Sequence, residues 1–150
     1  MLAERVAAGE LAPDYGPADI HPSAGATLVT ARPPLIAFNV ELATDDLELA
    51  KAVAAELREK EGGGGGLPGV RAIGMMLDAR DCAQVSLNIH DYNAAPLADI
   101  VSRISRRAPV AEAELVGLAP AEALEGLPDD LYVRNRRTIE DALGTSQSED

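Results

Sequence analysis

From Leu35 the side chains alternate, with Ile36, Phe38, Val40 and Leu42 on one face and Leu35, Ala37, Asn39 and Glu41 on the other, the period of two that a strand requires. Asp45 followed by Glu48 has the spacing of a capping box, and Leu47, Ala50, Val53, Ala54 and Leu57 then recur on one helical face, predicting a helix from Asp46 to Glu59. The helix should stop before the five consecutive glycines Gly62 to Gly66. Two further strand-like runs, Val70 to Leu77 and Cys82 to His90, flank the charged turn Asp78-Ala79-Arg80-Asp81 and predict a hairpin. The second alternates most clearly: Ala83, Val85, Leu87 and Ile89 face one way, Gln84, Ser86, Asn88 and His90 the other.

Pro96 opens a second helix with Leu97, Ile100, Val101 and Ile104 as its apolar stripe and Arg103, Arg106 and Arg107 toward its C-terminus, where cations suit the dipole; Pro109 ends it. A fourth strand is expected over 112–118 and a short helical piece over 121–124. The resulting order, βαββαβ, predicts an α+β ferredoxin-like sandwich, an antiparallel sheet with both helices on one face. Three regions follow: an N-terminal segment 1–33 holding a helix near its start and a loop rich in glycine and proline, the sandwich over 34–125, and an acidic tail over 126–150 in which periodicity fades. Thr145 to Asp150 is expected to be disordered. With no strand or turn ahead of it, the start at Met1 is abrupt for a complete enzyme.

Composition narrows the partners. At 150 residues, 47% hydrophobic and 3% aromatic without Trp, the core must be built from aliphatic side chains, and stacking platforms for nucleic-acid bases are scarce. A net charge of −12 also opposes a polyanion, so neither nucleic acid nor an anionic membrane is an expected partner. No apolar run approaches the roughly 18 residues of a membrane span. The single Cys82 excludes an internal disulfide and fits a reducing, cytoplasmic setting.

If the helices cover the apolar sheet face, Asn39, Glu41, Gln84, Ser86, Asn88 and His90 gather on the other. A solvated sheet face would explain them, but amides also suit recognition of a neutral heterocycle through paired donors and acceptors, so Asn39, Gln84 and Asn88 are candidate substrate contacts. The loop before the first strand, with Gly16, Pro17, Pro22 and Gly25, can let a ligand approach backbone N–H groups closely. The glycine run lacks the Lys-Ser or Lys-Thr of a phosphate loop and reads as a flexible connector. His21 and His90 have no nearby cysteine or second histidine, so no metal is expected, and neither histidine nor Cys82 has a sequence partner that marks a catalytic role.

Five ordered runs, PDYGPADIHPSAGAT (13–27), ARPPLIAFNVEL (31–42), LPGVRAIGMMLDAR (67–80), AQVSLNIHDY (83–92) and ELVGLAP (114–120), closely resemble the C-terminal subdomain of the glutamate formimidoyltransferases. The resemblance covers about residues 3–125. It implies two ferredoxin-like subdomains with tetrahydrofolate between them, and transfer of the formimino group of N-formimino-L-glutamate to N5 of tetrahydrofolate in histidine degradation. The family's folate loop aligns with Gly16, Pro17, Ala18, Asp19, Ile20, His21, Pro22, Ser23, Ala24 and Gly25, which become candidate folate contacts. Asn39, Gln84 and Asn88 also fall within its motifs.

The family's general-base histidine lies in a His-Pro-Arg context of the N-terminal subdomain, which has no counterpart in this sequence. His21-Pro22 is followed by Ser23 and sits in the folate loop, so no catalytic residue is assigned here. Ala24 and His90 stand where bulkier or hydroxyl residues are common in relatives. The resemblance therefore implies the C-terminal half of a formimidoyltransferase, active only with an N-terminal half. A folate-binding module without catalysis, or an oligomerising domain that uses the open sheet face, for instance as a homodimer, stays open as an alternative.

Overall fold

The computed structural model describes residues 2–31, 34–60 and 65–144. The chain divides into two compact units, Met1–Ala31 and Arg32–Asp150. The first begins with helix α1 (Leu2–Ala7), followed by irregular chain that closes one tight turn at His21 to Gly25. None of its described side chains is buried, and Tyr15, Leu28 and Val29 are strongly exposed.

The second unit holds the core. Its elements are β1 (Ile36–Leu42), α2 (Leu47–Leu57), β2 (Val70–Leu77), β3 (Cys82–Ile89), α3 (Leu97–Ser105), β4 (Val110–Val116), a 3-10 turn (Ala121–Leu124), β5 (Val133–Arg134) and α4 (Ile139–Leu143). The sheet order is β2-β3-β1-β4-β5. The first four strands are antiparallel neighbours, which with α2 and α3 gives the expected ferredoxin-like sandwich; β5 adds a parallel edge beside β4.

Alternation sets the faces. Ile36, Phe38, Val40, Ala83, Val85, Leu87, Ile89, Val70, Ala72, Ala113 and Leu115 are buried together with Ala50, Val53, Ala54 and Leu57 of α2 and Leu97, Ile100, Val101 and Ile104 of α3. The α3 stripe is the one the helical period predicts, and the α2 stripe is the predicted one without Leu47, which is half-buried at the first turn. The opposite sheet face carries Asn39, Gln84 and Asn88.

The boundaries shift by a few residues for local reasons. The cap of α2 is Asp46 rather than Asp45: its Oδ1 accepts the Leu49 N–H at 2.8 Å, so Glu48 closes no capping box. A capping box does form at α4, between Thr138 and Asp141, and the hydrogen bonds from Thr138 hold the Asp141 carboxyl below its ordinary range. Helix α2 ends at Leu57 instead of Glu59 because Arg58 turns to extended backbone and the Glu59 N–H donates to the Val70 carbonyl, 2.9 Å. Pairing of β4 starts at Val110, ahead of the expected Glu112, since the Ala43 N–H already reaches the Pro109 carbonyl at 2.8 Å. The strand stops before Gly117, whose φ of +94° leaves the extended region.

Residues 126–144 also contain more structure than their periodicity indicates: β5 and α4 lie there. A two-residue strand is too short for any alternation to mark it. Gly62 to Gly64, and Thr145 to Asp150 with their expected disorder, lie outside the described residues.

Candidate functional site

The uncovered sheet face is built in rows by strand register. Arg71, Asn88, Ala37 and Val116 form one row across β2, β3, β1 and β4; Ile73, Ser86, Asn39 and Glu114 form the next; Met75, Gln84, Glu41 and Glu112 the third. The three candidate amides therefore share one face, as their alternation requires. Their accessibility differs: Asn88 is exposed, Asn39 is half-buried, and Gln84 is only 4% exposed, with its Nε2 3.4 Å from the Met75 thioether. A ligand lying on this face meets Asn39 and Asn88 before Gln84.

At the third row the face becomes ionic. Glu41 is 2% exposed, yet it lies on the polar side of β1, where a register shift between Glu41 and Leu42 leaves both side chains buried. Arg80, from the turn between β2 and β3, approaches Glu41 Oε2 with Nε at 3.2 Å and Glu112 Oε1 with Nη2 at 2.6 Å. Arg134 of β5 donates through Nη2 to Glu41 Oε1, and its Nε lies 2.8 Å from Glu112 Oε1. That Nε–H is not aligned for a hydrogen bond, so the second contact is one of charge alone. Glu114 Oε2 accepts from Asn39 Nδ2 at 3.4 Å, and Glu114 Oε1 accepts from Asn135 Nδ2 at 3.1 Å. Two guanidiniums thus bridge three carboxylates from β1 and β4.

Beside this network a cavity of about 400 Å³ opens among Glu41, Asp45, Arg80, Asp81, Cys82 and Glu112. Cys82 Sγ lies 3.8 Å from Glu41 Oε2, and burial, followed by the charge of Glu41, pushes the thiol pKa up. The thiol therefore stays protonated at neutral pH, unlike an activated nucleophile. No cluster of three or more metal-ligating side chains occurs among the described residues.

Removing the central charge should be felt in stability. Glu41→Gln keeps the volume and one acceptor but leaves both guanidiniums short of a buried carboxylate, which should cost about 1 to 3 kcal/mol. A urea midpoint that shifts by less than a few tenths of a kcal/mol equivalent would show that solvent already screens the network.

The turn in the first unit uses most of its own donors. The Ser23 and Ala24 N–H groups donate to His21 Nδ1 at 3.3 and 3.1 Å, and the Gly25 N–H donates to the His21 carbonyl at 2.9 Å. His21 is therefore the internal cap of this turn. Of the candidate folate loop, Pro17 and Pro22 have no N–H to donate, and those of Gly16, Ala18, Asp19 and Ile20 make no backbone hydrogen bond among the described residues.

The sequence reading did not single out Arg80, Arg134, Glu112 or Glu114. The alternation of β4 could have placed Glu112 and Glu114 beside Asn39 and Glu41. Nothing in the sequence marks Arg134.

An antiparallel α+β sandwich with one polar, uncovered sheet face defines a class of two-layer domains that present a surface to a ligand or a partner. A family model described as formiminotransferase domain matches residues 37–142, and the chain belongs to that family. It is 42% identical over 128 residues to glutamate formimidoyltransferase of Streptococcus pyogenes serotype M1, covering 82% of this chain and 42% of that protein. It is 41% identical over 132 residues to formimidoyltransferase-cyclodeaminase of Sus scrofa, covering 82% of this chain and 24% of the relative. Against glutamate formimidoyltransferase of Thermoplasma acidophilum the identity is 34% over 130 residues, covering 83% and 41%. The chain thus spans less than half the length of these relatives. No helix among the described residues is long and apolar enough to cross a membrane.

Proposed function

We propose that this chain is the C-terminal half of a glutamate formimidoyltransferase, which positions tetrahydrofolate and N-formimino-L-glutamate for formimino transfer in the cytoplasmic degradation of histidine. A formiminotransferase N-terminal half supplies the general base. The observation that carries this reading is the uncovered sheet face with Asn39 and Asn88 accessible on it, in a chain of the formiminotransferase family. The Gly16 to Gly25 loop is the candidate folate-contacting segment, and Asn39, Gln84 and Asn88 are the candidate substrate contacts.

In this reaction N5 of tetrahydrofolate attacks the formimino carbon, and the tetrahedral adduct collapses by breaking the carbon bond to the glutamate nitrogen. That nitrogen must gain a proton as it leaves, while N5 loses one. The contribution of this chain is to hold the attacking nitrogen and the formimino carbon at bonding distance, for which orientation alone is worth several orders of magnitude in rate. Ile73 and Val116, 54% and 50% exposed on the same face, are apolar side chains that a protein surface covering part of it would bury. In the main reading that surface is the N-terminal half. In the alternative, a folate-binding or oligomerising module, it is a second copy.

The isolated chain is expected to show negligible transfer and to gain activity when an N-terminal half is supplied. Titration with a reduced folate in both states tests the binding role separately, and Gln84→Ala should weaken that binding by about 1 to 3 kcal/mol. Turnover by the chain alone on the order of 10 per second would overturn the split-site reading.

A further inference from the structure

The cations of the open face are unequal. Arg80 and Arg134 are held by Glu41, Glu112 and Glu114, so this end of the face has three carboxylates for two guanidiniums. Asp45 and Asp81 add negative charge to the adjoining cavity. An anionic ligand group is repelled from that end. The amides there are also oriented. A carboxylate only accepts, so Asn39 must turn Nδ2 toward Glu114, leaving Oδ1 as the group directed away from it. Gln84 likewise gives Nε2 to a thioether. This end presents acceptors, and it suits ligand N–H groups.

Arg71 lies at the opposite end. It is exposed, it stands directly across from Asn88 in the β2–β3 register, and among the described residues it forms no ion pair or hydrogen bond. Four residues of strand separate the Asn88 and Gln84 rows, about 13 Å at the rise of an antiparallel strand. An unpaired guanidinium with an amide beside it offers a planar array of donors suited to a carboxylate.

We infer that Arg71, assisted by Asn88, anchors a carboxylate of the ligand and so fixes the direction in which the ligand lies along the sheet, with its N–H-rich end toward Asn39 and Gln84. The inference rests on the formimidoyltransferase reading and names the polarity of that site. The carboxylate can come from the glutamate moiety of the folate or from N-formimino-L-glutamate, both of which present the same chemistry to a guanidinium.

The test is calorimetric titration of the chain and of Arg71→Gln, each alone and with a supplied N-terminal half, with 5-formyltetrahydrofolate, with the corresponding pteroate that lacks glutamate, and with N-formimino-L-glutamate, at low and moderate salt. Arg71→Gln should weaken one carboxylate ligand about tenfold at low salt, as for loss of a charge-assisted contact. It should also flatten the salt dependence of that ligand and leave the pteroate unchanged. Arg71→Lys should restore part of the salt dependence and less of the affinity, because it lacks the planar fork. A loss confined to the folate assigns the folate tail; a loss confined to N-formimino-L-glutamate assigns the amino-acid substrate. Unchanged affinity of Arg71→Gln for both ligands, with the pteroate still bound, overturns the anchor and spares the parent reading. Failure to bind any of the three ligands, both by the chain alone and with a supplied N-terminal half, overturns both.

Discussion

Gly74→Ala is expected to destabilise the protein by about 3 kcal/mol or more, although the same exchange at an unstrained position usually stabilises by several tenths of a kcal/mol through the unfolded chain. Gly74 lies in β2 on the side that meets α2. A Cβ placed there would lie 2.3 Å from the Lys51 nitrogen, 2.4 Å from the Ala50 carbonyl carbon and 2.6 Å from the Lys51 Cα. All three are backbone atoms, so no rotamer change relieves the overlap; the helix must move away from the sheet. Ala50, Val53, Ala54 and Leu57 would lose packing together, and such concerted losses produce the upper tail of single-substitution effects. Urea unfolding should show a lower midpoint with an unchanged slope. A variant within about 0.5 kcal/mol of the parent would mean that α2 does not approach the sheet this closely.

Phe38→Ala should cost about 3 to 5 kcal/mol, the usual range for truncating a buried aromatic ring. Phe38 is the one phenylalanine in the chain and is fully buried at the centre of β1. Its cross-strand neighbours are Leu87 on β3 and Leu115 on β4, both in the core, so its removal leaves a cavity bounded by strands on both sides. With a total stability of about 5 to 15 kcal/mol expected for a domain, this loss would be a large share of it. Equilibrium unfolding of the purified variant measures it. A cost under about 1 kcal/mol would place Phe38 outside the core.

These two positions differ in how far the sequence announces them. Phe38 stands in the run Ile36, Phe38, Val40, Leu42, whose alternation alone assigns it to the buried face. Gly74 interrupts a strand-like run without any sign of what approaches it. The order of elements from β1 to β4, the helix stripes and the sharing of a face by Asn39, Gln84 and Asn88 follow from periods of two and 3.6, which local backbone geometry imposes on any chain. The family resemblance was legible for the same kind of reason: its motifs are contiguous runs of residues.

Contacts between segments distant in sequence were not legible. Glu41 was expected as an open-face side chain, but its pairing with Arg80, 39 positions later, and with Arg134, 93 positions later, depends on strand order and on a two-residue β5. His21 could be placed in the candidate folate loop by resemblance, whereas its use of Nδ1 to cap its own turn depends on the fold of that loop. The sequence by itself determined the strands and helices from β1 to β4 and which face their side chains take, because those choices are local, while β5 and α4 escaped it. The tertiary structure decided which charges neutralise one another, and therefore that Arg71 is left unpaired among the described residues, because Coulomb and hydrogen-bond energies depend on distance in space.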